Sequence, residues 1–496
     1  MTDTKPAAPP EQAAGARTGL ALAVIVTGVL ITAVDTTIVV LALPEIQHAL
    51  RIGLSSVIWV IIGYLLVITL LATQVGRLGD MLGRVRMYRT GFVIFIVGSA
   101  LCALAWNDVS IVVFRLVQGV GGALVTANSG AVIADTFPAE RRGRAYGFNS
   151  IGWSLGAVIG VVIGGLIVTY ISWRWIFWIN VPIGSAAFVA ALRVLHDRGE
   201  RQHRRIDVAG MLTLGLGLFG VLWAMTKLST SPVDAALLGY LIGGVVMLGV
   251  FAVIEHRSAE PMLDLSLFRV PTMTPSLFAS MFQGLGSFAV LFLVIMYLQG
   301  ARGLRPIDAS LLLVPGYVLG GLVGPWVGKI TDTMGPVLPA TIGLAVQAVA
   351  FVIYAQLSLS SPLWLVIVPS VISGVGAGAF FPANTAAVMK AAPRRVFGIA
   401  SGMLRTFGNI GMVFSFTVAI VVAAHSIPRG VAFAIFVGTT SLHGAIAAQF
   451  IGGIHAAFYS ATALVAIAAV LSALRGRHGL AGRIAAEEPS AGPARS

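Results

Sequence analysis

Long apolar stretches separated by short polar breaks run through the chain from Thr18 to Leu474. Fourteen can be marked, at about residues 18 to 43, 56 to 78, 88 to 106, 109 to 135, 144 to 170, 175 to 195, 207 to 227, 233 to 255, 271 to 299, 308 to 330, 337 to 358, 362 to 389, 397 to 424 and 450 to 475. An α-helix needs about 20 such residues to cross a hydrocarbon core about 30 Å thick. None of the stretches shows the roughly ten-residue alternation of a lipid-facing strand, so helices that satisfy their own backbone are predicted. The expected fold is therefore an all-α polytopic membrane protein with fourteen transmembrane helices.

Composition agrees with a bilayer as the main solvent: 57% of residues are hydrophobic and 10% charged, against about 45–50% apolar and about 25% charged in a soluble domain. The net charge of +13 would suggest nucleic acid in a soluble protein, so the placement of the cations decides. Of the 32 Lys and Arg, 24 fall in the tails and the loops on their side, six in opposite loops (Arg51, Arg174, Lys227, Arg302, Arg305, Arg429) and two within segments. An even segment count and the positive-inside rule predict both termini in the cytoplasm. The basic charge is then topological, with anionic lipid headgroups as its natural neighbours and no nucleic acid implied. Only 4 Lys stand against 28 Arg, with abundant Ala and Gly, which suggests a GC-rich bacterial genome, and the expected location of such a multi-pass chain is the bacterial cytoplasmic membrane.

Cys102 is the sole cysteine and lies in an apolar stretch, so no disulfide or paired-cysteine metal site is available and it reads as packing. The first stretch is too long for a signal-peptide core and lacks a small-residue cleavage site, so it is kept as a span. Residues 1–17 and 476–496 read as disordered tails.

A repeat organises the rest. Gly76-x-x-x-Asp80-x-x-Gly83-Arg84, after the second stretch, returns as Gly328-x-x-x-Asp332-x-x-Gly335-Pro336 after the tenth. Two six-helix halves are predicted, 18–195 and 270–475, with a linker of 196–269 holding an extra pair at 207–227 and 233–255. Repeated halves around a shared site are the usual construction of a secondary transporter.

Four motifs carry a resemblance to the major facilitator superfamily, and within it to the fourteen-span drug:proton antiporters. They are Gly76-x-Leu78-x-Asp80-x-x-Gly83-Arg84-x-Arg86; Arg115-Leu-Val-Gln118-Gly119-Val-Gly121-Gly122; the glycines Gly147, Gly156, Gly160, Gly164 and Gly165; and Asp35-Thr36-Thr37 running to Pro44. Val161 and Val40 stand where that family usually has Pro and Asn. The resemblance implies a proton-coupling role for Arg115 and an antiporter role for the glycine stripe, whose small residues would pack at the interface of the two halves. In the loop motif, Asp80 suits the positive end of a neighbouring helix and Arg84 suits an acid such as Asp135, together a cytoplasmic clasp. Its repeat extends the clasp to Gly328, Asp332 and Gly335.

Asp35 is the one acid placed well inside a stretch, about two thirds of the way across. An isolated carboxylate in apolar surroundings holds its proton tightly, which makes Asp35 the candidate proton carrier. A cation within a span costs about 2.5–3.5 kcal/mol on insertion scales and demands a polar partner, so Arg115 either meets one or reaches the surface. Tyr64, Gln74, Asn128, Asn149, Trp153, Phe282, Gln283, Asn384 and Asn409 are candidates to line a substrate cavity, with Arg405 either there or at the cytoplasmic surface. Trp173-Arg174-Trp175 to Gly184 and Tyr297-Leu298-Gln299 also resemble the family, and the tryptophans read equally as interface anchors.

The expected function is proton-coupled efflux of lipophilic small molecules by alternating access, without cofactor or metal, driven by the proton gradient and by a monomer. So few intramembrane acids favour neutral, zwitterionic or singly charged cargo. Export of an endogenous lipid, siderophore or other envelope metabolite is the alternative. An enzyme or receptor is not expected: there is no phosphate-cradling Gly-rich loop followed by Lys, no clustered metal-ligating set (His425, His443 and His455 are scattered) and no large extramembrane domain.

Overall fold

The computed structural model describes residues 11–52, 54–137, 139–197, 207–230, 233–258, 261, 265–392, 397–423 and 445–487, apart from some side chains within them. Among these residues the regular structure is helical throughout: α1 (Glu11–Leu50), α2 (Leu54–Leu82), α3 (Arg84–Ala103), α4 (Asp108–Thr136), α5 (Ala139–Tyr170), α6 (Trp175–Trp178), α7 (Asn180–Val194), α8 (Val208–Thr230), α9 (Ala235–Arg257), α10 (Met273–Met296), α11 (Pro306–Met334), α12 (Val337–Tyr354), α13 (Trp364–Ala391), α14 (Phe397–Ala423) and α15 (Ala445–Glu487). A π-helical turn, Tyr297–Ala301, extends α10.

Each of the fourteen expected stretches falls on helix. Twelve are long and apolar enough to cross a bilayer, whereas α2 offers only the shorter apolar run Trp59–Ala72 and α14 does not meet the measure over its described residues. Two boundaries differ from expectation. Residues 11–17 and 476–487, read as tail, are helical, because Ala, Glu, Gln and Arg propagate a helix readily. Pro44 lies inside α1 and does not end it. The spanning part of α1 becomes Thr18–Leu50, which puts Asp35 near its middle and not two thirds across.

The chain divides into two units, Met1–Ile206 and Asp207–Ser496, and α8 and α9 belong to the second, where α8 packs on α14. Within each unit the helices pair in the same order. In unit 1, α1 packs on α5, α2 on α4, and α3 on both α4 and α7; in unit 2, α10 packs on α14, α11 on α13, and α12 on both α13 and α15. Small residues permit the closest of these approaches. A Cβ on Gly320 would stand 2.6 Å from the Gly374 carbonyl, so α11 and α13 touch backbone to backbone.

The turns joining α2 to α3 and α11 to α12 are also alike. Gly83 and Gly335 each take a positive φ, 107° and 83°, a conformation that a residue with a Cβ adopts only under strain.

Candidate functional site

In unit 1 a charged network closes on Asp35. Asp35 and Arg115 are 0% and 1% exposed, and Arg115 Nη1 donates to Asp35 Oδ2 at 2.6 Å. The same nitrogen donates to Gln118 Oε1 at 2.7 Å, and Nε donates to the Val60 carbonyl at 2.8 Å. Asp35 Oδ1 accepts from Gln118 Nε2 at 2.8 Å and from Asn180 Nδ2 at 3.2 Å. Both amides also donate to Ser99 Oγ, at 2.6 and 3.2 Å. The guanidinium lies 4.2 Å from the Tyr64 ring centroid and 5.7 Å from that of Phe177, where a desolvated cation over an aromatic face gains about 2 kcal/mol. Five long helices, α1 to α4 and α7, thus supply one polar cluster.

One expectation changes and one alternative is decided. Asp35 is not isolated: its charge is matched by a guanidinium and its oxygens by three donors, the condition under which a buried pair can offset its desolvation. Arg115 does not reach the surface. Glycines of its motif and of the facing helix α3 explain how it is buried. A Cβ on Gly98 would stand 2.6 Å from Gln118 Cα, one on Gly119 3.0 Å from the Tyr64 carbonyl and one on Gly121 would overlap the Phe95 backbone. Only glycine lets α2 and α3 close on α4 at this level.

The glycine stripe of α5 is similarly explicit. A Cβ on Gly156 would stand 2.7 Å from the Leu30 carbonyl and from Ala33 Cβ, one on Gly160 2.7 Å from the Val34 carbonyl, and one on Gly164 2.6 Å from Ile38 Cγ1. The stripe therefore seats α1 against α5 within unit 1, since residues four apart share one helix face and α1 is a helix that face meets. Gly165 is buried, and Val161 is buried in an unbroken helix. Asp35 is thereby carried on a helix held on one side by glycine packing and on another by charge.

At the end of unit 1 carrying the loop motif, Arg84 Nη1 pairs with Asp135 Oδ1 at 2.6 Å. Asp80 and Asp332 lie outside the described side chains. An anion at the start of α3 is Asp197, unforeseen in the sequence: its Oδ1 accepts from Val85 N at 2.7 Å and its Oδ2 from Arg86 N at 3.2 Å. Arg89 reciprocates by donating to the Ala191, Leu192 and Leu195 carbonyls at the end of α7. Acid at a helix start and cation at a helix end are the stabilising arrangement for both dipoles. Gly76 and Gly328 are open, with space where a Cβ would go.

The proposed cavity residues scatter. Tyr64 belongs to the charged network. Gln74 and Asn128 are buried, and Asn128 donates to the Leu124 carbonyl at 2.9 Å while its amide oxygen lies against Gly79 of α2. Asn149 is buried, Phe282 and Asn409 are half-buried, and Trp153 and Arg405 are exposed. Gln283 Nε2 donates to Ser287 Oγ at 3.0 Å and Gln347 Oε1 at 3.4 Å. Asn384 is held by Arg475, whose Nη1 donates to Asn384 Oδ1 at 2.6 Å. Arg475 is buried and was not singled out in the sequence, although a cation closing the last span was the available signal. Glu255, in the last turn of α9, is a second buried acid beside Asp207: a Cβ on Gly210 would meet oxygens of both. No group of metal-ligating side chains occurs among the described residues.

Comparison with known proteins decides the family: the model of the Major Facilitator Superfamily matches residues 25–416. The chain belongs to the major facilitator superfamily. Among superfamily members it is 31% identical over 397 residues to the tetracenomycin C resistance and export protein of Streptomyces glaucescens, covering 79% of this chain and 73% of that one. It is 30% identical over 405 residues to the multidrug transporter protein MdtP of Bacillus subtilis, covering 79% and 74%, and 29% identical over 393 residues to the riboflavin transporter RibZ of Clostridioides difficile, covering 79% and 85%. A crystal structure of a bacterial homologue of the human lysosomal transporter Spinster, inward-facing and unoccupied, superposes with a TM-score of 0.64 at 15% identity, over 94% of this chain and 98% of that one. At that identity the likeness concerns the fold. This superfamily member is accordingly a multi-pass membrane transporter and not an enzyme.

Proposed function

We propose that this transporter is a proton-coupled exporter of lipophilic small molecules, a fourteen-span antiporter of the bacterial cytoplasmic membrane with both termini in the cytoplasm, working by alternating access. The observation that carries the reading is the Asp35–Arg115 pair, 2.6 Å apart and excluded from solvent. An ionisable pair at this depth costs several kcal/mol per ion to desolvate, and such residues in membrane proteins mark proton and substrate paths.

The geometry supports a specific cycle. A proton arriving at Asp35 Oδ2 neutralises the carboxylate and removes the ionic attraction to Arg115. Arg115 keeps its other acceptors, the Val60 carbonyl and Gln118 Oε1, and its place over Tyr64. Protonation therefore loosens α1 from α4, leaving the Gln118 amide bond to Asp35 Oδ1 as their remaining polar tie in this cluster, while the cation stays solvated by protein. Loss of the proton restores the tie. Coupling to cargo follows if the substrate is released in the protonated state and bound in the ionised one. The relatives named for tetracenomycin C resistance and export and for multidrug transport support lipophilic cargo, and the relative named for riboflavin keeps an endogenous metabolite as the second reading. The shortage of buried acids favours neutral, zwitterionic or singly charged compounds.

The experiment is transport into everted vesicles with an imposed proton gradient. Asp35→Asn should abolish gradient-driven uptake of dyes and drugs while sparing downhill equilibration. Unchanged gradient-driven transport by that variant would sink the assignment, and a dication carried as well as a monocation would contradict the cargo rule. Altered lipid or metabolite content in a deletion strain, without altered drug sensitivity, would favour the second reading.

A further inference from the structure

The start of α3 is filled by the Asp197 carboxylate, which accepts from the Val85 and Arg86 amides. The equivalent place in unit 2 is the start of α12. It too follows a positive-φ glycine, Gly335, but its cap, Pro336, offers no side-chain hydrogen bond. Pro336 and Val337 line a cavity of about 190 Å³ together with Thr272, Lys390 and Arg475. Arg475 closes the last span as Asp197 follows α7, so a cation stands where the first unit has an acid.

Arg475 is 1% exposed and its acceptors are all neutral: Ser276 Oγ at 3.0 Å, Asn384 Oδ1 at 2.6 Å, the Ser472 carbonyl at 3.1 Å and Ser472 Oγ. Four of its N–H groups are thus used, and a guanidinium has five. No salt bridge to Arg475 occurs among the described residues. A buried cation without a counter-charge is costly, and buried charges are normally paired. Lys390, in the last turn of α13, is exposed at the cavity and adds a second cation. The Val337 and Leu338 amides of the first turn of α12, which have no acceptor within the helix, add a partial positive charge.

We infer that this cavity binds a phosphate-bearing anion, which supplies from outside the charge that Asp197 supplies from within in unit 1. A cavity several times the ~30 Å³ share of one water accommodates a phosphate group. A buried guanidinium, an accessible ammonium and backbone amides are the donor set such a group requires. The cavity lies at the Arg475 end of the last span, Gln449–Arg475, and at the C-terminal end of α13, the side that the positive-inside rule assigns to the cytoplasm, where basic pockets between helices meet anionic headgroups. The anion is therefore either the phosphate of a leaflet phospholipid or free phosphate. Its role is structural: it ties α10, α12, α13 and α15 at one end as Asp197 and Arg89 tie α3 and α7. The inference is independent of proton coupling.

The test is the melting temperature of the full-length purified protein in neutral detergent, titrated separately with phosphatidylglycerol, phosphatidylcholine and inorganic phosphate. The wild type should be stabilised by phosphatidylglycerol and not by phosphatidylcholine. Inorganic phosphate stabilising equally would identify a soluble anion as the ligand, whereas phosphatidylglycerol alone would identify a lipid. Lys390→Gln, at an exposed position that folding tolerates, should raise the concentration needed about fivefold, the effect of one basic residue at a membrane surface. Arg475→Gln should lose the response. Equal responses of the wild type and Lys390→Gln, or equal stabilisation by phosphatidylglycerol and phosphatidylcholine, overturns the site even if Arg475→Gln does not fold.

Discussion

The two units share a helix-pairing scheme and differ in what holds its polar centre. In unit 1, α1, α3 and α4 meet at Asp35, Ser99, Arg115 and Gln118, an ionic cluster with amides as auxiliaries. In unit 2 the corresponding helices α10, α12 and α13 meet at Gln283, Gln347 and Ser373 through long neutral contacts, with Gln283 Nε2 to Gln347 Oε1 and Gln347 Nε2 to the Ser373 carbonyl both at 3.4 Å. One scaffold therefore carries an ionic centre in one copy and a neutral centre in the other. The glycine contacts between α1 and α5 and between α10 and α14 are of the same kind in both. Packing has kept the repeat, and charge has broken it.

The largest expected effect tests that division. Arg115→Gln leaves Asp35 as an uncompensated buried charge, a class of change that costs about 3–5 kcal/mol. Gln347→Met, at the corresponding centre of unit 2, removes only an interhelical amide contact, a loss averaging ~0.6 kcal/mol in membrane proteins. Thermal unfolding in detergent measures both. Equal costs would mean that the ionic cluster is not what distinguishes the units. Replacing Asp35 and Arg115 together by leucine should recover most of the lost stability while gradient-driven transport stays absent.

Packing should behave alike in both units. Gly156→Ala brings a Cβ to 2.7 Å from the Leu30 carbonyl, and Gly284→Ala brings one to 2.7 Å from the Gly408 carbonyl. Overpacking of this sort costs about 1–3 kcal/mol, so the two variants should lower the melting temperature by similar amounts. A large cost in one unit alone would break the parallel at the level of the helices and not just of the charges.

How far the sequence foretold these features depends on how local each signal is. Apolar length is local, and every expected stretch lies on helix. The Arg115 motif was legible because Gly119, Gly121 and Gly122 sit beside the arginine whose burial they permit. What the chain could not display was proximity across long separations. In the sequence Asp35 and Arg115 stand as separate candidates, and the first looks isolated because its partner is 80 residues away. Asp197 was invisible for the same reason: its target amides belong to α3, more than a hundred residues earlier. Arg475 lay at the edge of an apolar run, where a cation usually signals a membrane surface. The cavity residues were the least legible, since an amide in a span reads the same whether it packs as Asn128 does or lines a space.

A smaller effect is expected at the Arg84–Asp135 pair, whose side chains are 30% and 17% exposed. Pairs of this exposure contribute about 0.2–1 kcal/mol and weaken with salt. Arg84→Ala should therefore change melting little, and its signature should be a shift in which face of the protein is accessible, read by labelling engineered cysteines on each side. Asp197→Asn keeps the acceptor at the start of α3 but removes its charge, and should lower the melting temperature by a comparable amount. If either matched Arg115→Gln, the contrast between a buried centre and a half-exposed rim would fail.

The smallest effect belongs to the pair that joins α8 to α9. Lys227 Nζ meets Asp234 Oδ2 at 2.7 Å, and Asp234 also accepts from the Leu237 amide as the helix cap. The hydrogen bond from Lys227, followed by that from Leu237, holds the Asp234 carboxyl below the usual carboxylate range. A carboxylate whose folded pKa is depressed contributes stability above its unfolded value, about 3.9, and loses it as the pH falls through the folded value. The wild type and Lys227→Gln should thus differ by a small, constant margin from neutral pH down to about pH 5, and the margin should close in stronger acid as Asp234 takes up a proton. Asp234 is exposed, so water already screens the charge that Lys227 matches. The same atom types at nearly the same distance as Arg115 and Asp35 should give the weakest result of the set, which isolates burial as the property that makes the unit 1 centre costly to break.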